Sequence, residues 1–166
     1  MTFRRMIFGI ITAAVVACTG GYSFTGGDVG DAKTVSVDRF PNNAPLVQPN
    51  LSQFLTEAIK DIFVQQTNLR LVDDDGDFHF SGSITDYRIT PLAPQADQTS
   101  SQSRLTIGIR VIFENHIEPK KSYEENFSRF ADFDADANFS SIEEQLIRQI
   151  NEELAENVLN RAIVNW

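Results

Sequence analysis

The chain has 166 residues, which is enough for one domain with its own hydrophobic core. Its formal net charge of −9 makes it a poor general binder of nucleic acid or of anionic membrane surfaces. Thirteen phenylalanines favour an aromatic-rich core, and nothing in the composition indicates a disordered chain.

The N-terminus carries the parts of a secretory signal and the only cysteine of the chain. Arg4 and Arg5 precede an apolar run at 6–17, which is shorter than the roughly 20 residues that a membrane-spanning helix needs. We therefore expect residues 1–17 to be cleaved. Cys18 stands directly after the expected cut, so the stretch resembles a bacterial lipobox. That resemblance implies that Cys18 becomes the first residue, carrying a thioether diacylglycerol and an acylated amine. The alternative is an ordinary signal peptide followed by an incidental cysteine.

Cleavage would make the protein more acidic and leave it without a thiol. Loss of Arg4 and Arg5 takes the formal charge from −9 to −11. An acylated Cys18 excludes disulfides and cysteine metal sites. Residues 18–31 are rich in glycine and predict a flexible tether. The rest, 32–166, predicts a single domain.

The remaining chain predicts two helices and four strands in the order β-α-β-β-β-α. In the strands, apolar and polar residues alternate, and in the helices apolar residues recur at three- and four-residue steps. The phase shift near Asp86 indicates a bulge or bend. The last strand is weakly patterned, as expected for an edge or bulged strand. The predicted strands are 33–40, 78–89, 104–114 and 123–133, and the predicted helices are 50–67 and 141–164.

These elements indicate an α+β fold, a two-layer sandwich of a four-stranded mixed sheet with two helices on one face. A right-handed crossover makes the first strand parallel to its neighbour, if the two are adjacent. The other three strands should form an antiparallel meander. We interpret residues 69–72 as a short apolar connection and 91–103 as a long loop, either functional or mobile.

The sequence contains no recognisable set of catalytic groups. His79 lies on the polar side of a strand and His116 lies in a turn, so we expect both at the surface. No nucleophile elbow, phosphate loop or dinucleotide fingerprint is present. We therefore expect neither catalytic residues nor a cofactor.

One acidic run is compatible with a calcium loop. Asp132, Asp134, Asp136 and Glu143 would occupy the first, third, fifth and twelfth loop positions. Ala137 replaces the usual glycine, and a predicted strand precedes the run instead of a helix. The other interpretation is an acidic strand end that leads into a helix N-terminus.

A few basic residues stand out against the acidic background. Arg104 and Arg110 lie on the polar face of the strongest strand, and Lys120 and Lys121 lie in a hairpin turn. With Arg88, such a set could hold phosphates or acidic sugars. The alternative is scattered, solvated charge.

Several short stretches together resemble the LPS-assembly outer-membrane lipoproteins of the LptE family. The likeness extends over essentially the whole mature chain, and the runs at 39–45 and 127–133 are its most specific parts. The matching stretches are Cys18, GGYSF at 20–24, VSVDRFPNNAP at 35–45, LSQ at 51–53, QTNL at 66–69, FSGSITDY at 80–87 and FSRFADF at 127–133.

The resemblance implies a non-enzymatic lipoprotein anchored to the periplasmic leaflet of the outer membrane. Such a protein plugs an LptD-type β-barrel translocon, assists its assembly, and in some cases holds lipopolysaccharide itself. For lipopolysaccharide contact the candidates here are Arg104, Arg110, Lys120 and Lys121. The alternative function is an amphiphile carrier or an auxiliary lipoprotein of another envelope transport system, which predicts a lipid-sized apolar pocket between helices and sheet.

Overall fold

The computed structural model describes residues 29–46, 48–93 and 101–163. The predicted signal peptide, Cys18 and most of the predicted tether lie outside the described residues, as does the middle of the 91–103 loop.

Five strands and two long helices make up the described fold. The order along the chain is β-α-β-β-β-β-α, with a single 3₁₀ turn, Pro119–Lys121, between the last two strands. The strands are β1 (Thr34–Val37), β2 (Arg70–Leu71), β3 (Phe78–Pro91), β4 (Gln102–Asn115) and β5 (Tyr123–Asp134), and the helices are α1 (Leu51–Gln66) and α2 (Phe139–Ile163).

The α+β class and the two helices are confirmed, but the prediction of four strands is wrong. Residues that we interpreted as a connection form β2, which pairs in parallel with β1. The amide N–H groups of Arg70 and Val72 donate to the carbonyls of Lys33 and Val35, both at 2.9 Å. A strand of two exposed residues has no alternating pattern of its own, so its backbone partner alone reveals it.

The sheet order is β2-β1-β3-β4-β5, so β5 is one edge, as expected from its weak pattern. β1 runs parallel to both of its neighbours, and β3, β4 and β5 form the expected antiparallel meander. The register of β3 on β4 shifts between Ile84 and Asp86, which confirms the predicted bulge.

Both helices pack on one face of the sheet, and the core lies between the two layers. Leu51, Leu55, Ile59 and Phe63 recur at four-residue steps along α1 and are completely buried. Phe63 contacts Phe80 of β3 with 4.7 Å between ring centroids. The chain of rings continues from Phe80 to Phe113 of β4, again at 4.7 Å.

Gly82 allows β3 to lie against β4 beneath the segment that follows β1. Its φ of +157° is rarely adopted by other residues. A Cβ at this position would collide with the carbonyl oxygen of Arg110 and with the ring of Phe40. The helix-side face of the sheet is thus tightly filled, whereas the opposite face has no helix over it within the described residues.

Candidate functional site

We call the side of the sheet turned away from the helices the open face. Because side chains alternate along a strand, even-numbered residues of β4 and β5 point to this side. On β3 the residues on this side are odd-numbered before the bulge and even-numbered after it. Most of them are polar, in contrast to the apolar helix side. The open face carries His79, Ser81, Ser83, Asp86, Arg88, Thr90, Arg104, Thr106, Arg110, Ile112, Glu114, Glu124, Asn126, Ser128, Phe130 and Asp132.

Arg104 is held by its direct cross-strand partner, Asp132. Its Nε and Nη2 donate to the two carboxylate oxygens at 2.6 and 2.9 Å. The guanidinium also lies 3.6 Å above the ring of Phe130. The paired charges lower the pKa of Asp132 and raise that of Arg104, in each case chiefly through the side-chain hydrogen bond. This fork geometry is the one with which arginine also binds phosphate.

The other candidate cations differ in how far they are neutralised. Arg110 Nε donates to Glu124 at 2.8 Å, and Lys121 donates to Glu118 at 2.7 Å. Lys120 has no ion pair with any residue that the structure describes.

The structure brings Arg104 and Arg110 to one face but does not gather the four predicted residues into one pocket. The two arginines lie six residues apart on β4, or about 20 Å at the usual strand rise. Lys120 and Lys121 lie in the 3₁₀ turn that follows the C-terminal end of β4. The resulting surface is a ladder of cross-strand ion pairs with a separate basic turn.

The four calcium candidates do not converge on a common point. Asp132 binds Arg104, and Asp134 accepts the N–H of Asp136 at 3.1 Å. Glu143 accepts a 2.6 Å hydrogen bond from the Tyr87 hydroxyl, whose pKa is raised by burial and by this carboxylate. Among the described residues no three His, Cys, Asp or Glu side chains are placed to hold a metal ion.

His79 is more enclosed than the sequence indicated. Its Nδ1 lies 2.8 Å from the Ser36 hydroxyl, and its Nε2 lies 3.6 Å from a carboxylate oxygen of Asp38. The ring stacks on His116 with 6.4 Å between centroids. Ser36 is completely buried and accepts the N–H of Gly76, so its hydroxyl is out of reach of a substrate. The hydrogen bonds of Ser36 join β1 to His79 of β3 and to Gly76 in the turn before β3, so these contacts are structural.

A lipid-sized pocket between helices and sheet would favour the amphiphile carrier, but the space between these layers is occupied by packed side chains. The largest of them are completely buried: Phe40, Phe63, Phe80 and Phe113. The ring contacts of Phe80 with Phe63 and with Phe113 leave the layer closed at its centre. No helix in the described part of the chain is both long enough and apolar enough to cross a bilayer.

Comparisons with known proteins identify a matching family and solved structures of similar fold. The family profile described as "LptE: Lipopolysaccharide-assembly" matches residues 32–162. No curated protein matches the chain by sequence. Among solved structures, a minor lipoprotein from Acinetobacter baumannii is similar at 12% identity and a TM-score of 0.53, covering 78% of this chain and 91% of its own.

A rare lipoprotein B from Shewanella oneidensis is similar at 12% identity and a TM-score of 0.49, covering 77% of this chain and 92% of its own. At such identities a structural likeness concerns the fold alone. The match of the family profile over most of the chain is the stronger finding.

Proposed function

We propose that this chain, which belongs to the LptE family of lipopolysaccharide-assembly lipoproteins, plugs the β-barrel translocon that inserts lipopolysaccharide into the outer leaflet and assists its assembly. The family is non-enzymatic and associated with the cell envelope. The plug role, the LptD-type partner and anchoring at the outer membrane are the proposed parts.

The observation that carries the proposal is the charge-balanced open face. Arg104 with Asp132, and Arg110 with Glu124, present polar groups on a rigid sheet without a large net charge. The interior of a large membrane barrel is polar. On this face Arg88, Arg104 and Arg110 each have a carboxylate partner, so the surface can lie against such a wall without burying an unpaired arginine, which would be costly.

Lipid anchorage at Cys18 is the second part of the proposal. An acylated residue at the start of the mature chain holds the domain at the membrane without a spanning helix. One acyl chain alone gives marginal binding, and several chains on one residue give stable anchoring. The domain from Ala32 onward would then face the barrel from the periplasmic side.

Direct contact with lipopolysaccharide is the third part, through Arg104, Arg110, Lys120 and Lys121. A phosphate could replace Asp132 on the Arg104 fork, because both offer oxygens in the same geometry. Lys120 could bind a phosphate without losing an ion pair to a described residue. We therefore expect Lys120 to contribute before Arg104, Arg110 and Lys121, which already have carboxylate partners.

Co-purification tests the plug role. Full-length protein, tagged at its C-terminus and extracted in detergent, should bring down an outer-membrane β-barrel in near-equal amount, with acylated Cys18 at its mature N-terminus by mass spectrometry. Asn126→Trp on the open face should reduce the recovered barrel. Gln149→Trp, at an exposed position on α2, is the matched control. A lipid-free protein that recovers no barrel would refute the proposal.

Lipopolysaccharide contact is tested separately. Lys120→Glu with Lys121→Glu should lower the affinity for purified lipopolysaccharide several-fold at low salt. Lys60→Glu with Arg70→Glu makes the same change of charge elsewhere. If both double variants lose affinity equally, general charge accounts for the effect and the assigned residues do not.

A further inference from the structure

A groove runs between α1 and α2, on the side of the molecule away from the sheet. Its volume is about 340 Å³. Apolar side chains from both helices contribute to it: Phe54, Ala58 and Ile62 from α1, and Ala155 from α2. The groove is therefore formed by the packing of the two helices and needs no other element of the described fold.

Four carboxylates line this groove and lack cationic partners. They are Glu57 and Asp61 on α1, and Glu152 and Glu156 on α2. None of them forms an ion pair with a described residue. The groove thus differs from the open face, where the carboxylates facing Arg104 and Arg110 are paired.

Arg148 is the one cation among the described residues that line the groove, and it already has partners. Arg148 donates to Glu144 at 2.8 Å, and its guanidinium lies 4.2 Å above the ring of Phe54. A cation from outside the described chain would therefore meet an excess of negative charge in the groove.

Asn151 also lines the groove and is only 1% exposed. Neither its amide nitrogen nor its amide oxygen has a hydrogen-bond partner among the described residues. Buried polar groups are nearly always paired, because an unpaired one loses its hydration without compensation. A group bound beside Asn151 would pair both of these atoms with one acceptor for the amide nitrogen and one donor for the amide oxygen.

These two requirements together select the chemistry of the occupant. The carboxylates favour ammonium or guanidinium groups, and the Asn151 amide needs both a donor and an acceptor. A polyamine offers only donors. An extended peptide with lysine or arginine offers backbone N–H and C=O groups beside a cation. The chain's own residues 19–31 contain neither lysine nor arginine.

We propose that the groove between α1 and α2 binds a basic, extended segment of a partner protein, with backbone groups on Asn151 and cationic side chains on the surrounding carboxylates. This partner surface is separate from the open face and does not depend on the plug role.

The test uses the full ¹⁵N-labelled lipoprotein in detergent and the peptide acetyl-Gly-Lys-Gly-Lys-Gly-amide at low ionic strength. The peptide should shift the side-chain amide signals of Asn151. Asp61→Asn with Glu152→Gln should weaken binding about fivefold, since each exposed charge contact contributes little by itself. The control, Asp73→Asn with Asp74→Asn, makes the same change of charge in the turn before β3 and should leave the affinity unchanged.

Asn151→Leu separates binding from folding. It should abolish the specific peptide affinity while the protein stays folded. Four outcomes would overturn the proposal: no shift at Asn151, equal weakening by both double variants, full affinity in Asn151→Leu, or spermidine binding as tightly as the peptide.

Discussion

The two faces of the sheet are held by different forces. On the helix side, Phe63, Phe80 and Phe113 form a continuous stack of rings that is almost completely buried. On the open face, Arg104 stacks on Phe130, whose side chain remains 48% exposed, and binds Asp132. The first face therefore supplies most of the stability, and the second can meet a partner at little cost to the fold.

The largest expected effect comes from comparing a Phe→Ala substitution on the helix side with one on the open face. Phe80→Ala removes a completely buried ring and should lower the free energy of unfolding by about 3–5 kcal/mol. Phe130→Ala removes a ring from the open face and should cost about 1 kcal/mol or less. Urea denaturation of both variants makes the comparison. Equal losses would mean that the open face is as firmly packed as the core.

Replacing the buried amide of Asn151 on α2 with an apolar side chain should stabilise the protein. Asn151→Leu removes two unpaired polar atoms and should raise the free energy of unfolding by about 1–3 kcal/mol. Asn157→Leu in the same helix is the control, because Asn157 donates to Glu153 and accepts from Arg129. Thermal unfolding should show a higher midpoint for the first variant only, and a lower midpoint for both would contradict this assignment.

The next effect concerns acid stability at the start of β1. Asp77 accepts the N–H groups of Lys33 and Thr34 at 2.8 and 3.0 Å, and these bonds, that of Lys33 first, hold its pKa below the ordinary value. The stability they contribute is present above the unfolded-state pKa, near pH 4, and is lost as the pH falls through the lower folded-state pKa.

Asp77→Asn should therefore lower the free energy of unfolding by about 1 kcal/mol at neutral pH and reduce its decline below pH 4. Denaturation in urea at pH 6 and pH 3 measures both. Asp74→Asn, in the same turn, is the control. A decline with acid that is identical in Asp77→Asn and the parent would contradict the role of this carboxylate.

The smallest effect is expected on the open face. Asp132→Asn removes the charge that pairs with Arg104 and should change the free energy of unfolding by less than about 1 kcal/mol, because exposed ion pairs are screened by water and salt. The difference between variant and parent should shrink further in 1 M salt. A loss of unfolding free energy comparable to that of Phe80→Ala would mean that the open face contributes as much to stability as the core.

Much of this fold could be predicted from local patterns. Alternation in β3 and β4, the phase shift at Asp86 and the apolar stripes of α1 and α2 all reflect the packing of one face, which is written into neighbouring residues. β2 could not be predicted in this way, because two exposed residues have no period and depend on a partner 36 residues earlier in the chain.

The pairing of the candidate site residues was also invisible in the sequence. Arg104 and Arg110 stood out as cations, but their carboxylate partners lie on the neighbouring strand and depend on the register of β4 on β5. The groove between the helices was missed for a similar reason. Asn151 is a polar residue within the otherwise apolar buried stripe of α2. That interruption was the one local signal of the groove in the sequence.

Site-specific photo-crosslinking in intact cells tests the central claim most directly. A photoreactive residue at position 126, on the exposed edge strand, should form a covalent adduct with an outer-membrane β-barrel protein, and the adduct should contain a lipidated form of this chain. We predict one dominant barrel adduct. Adducts with soluble periplasmic proteins alone, or no adduct from this position, would contradict the claim that the open face lies against a barrel wall.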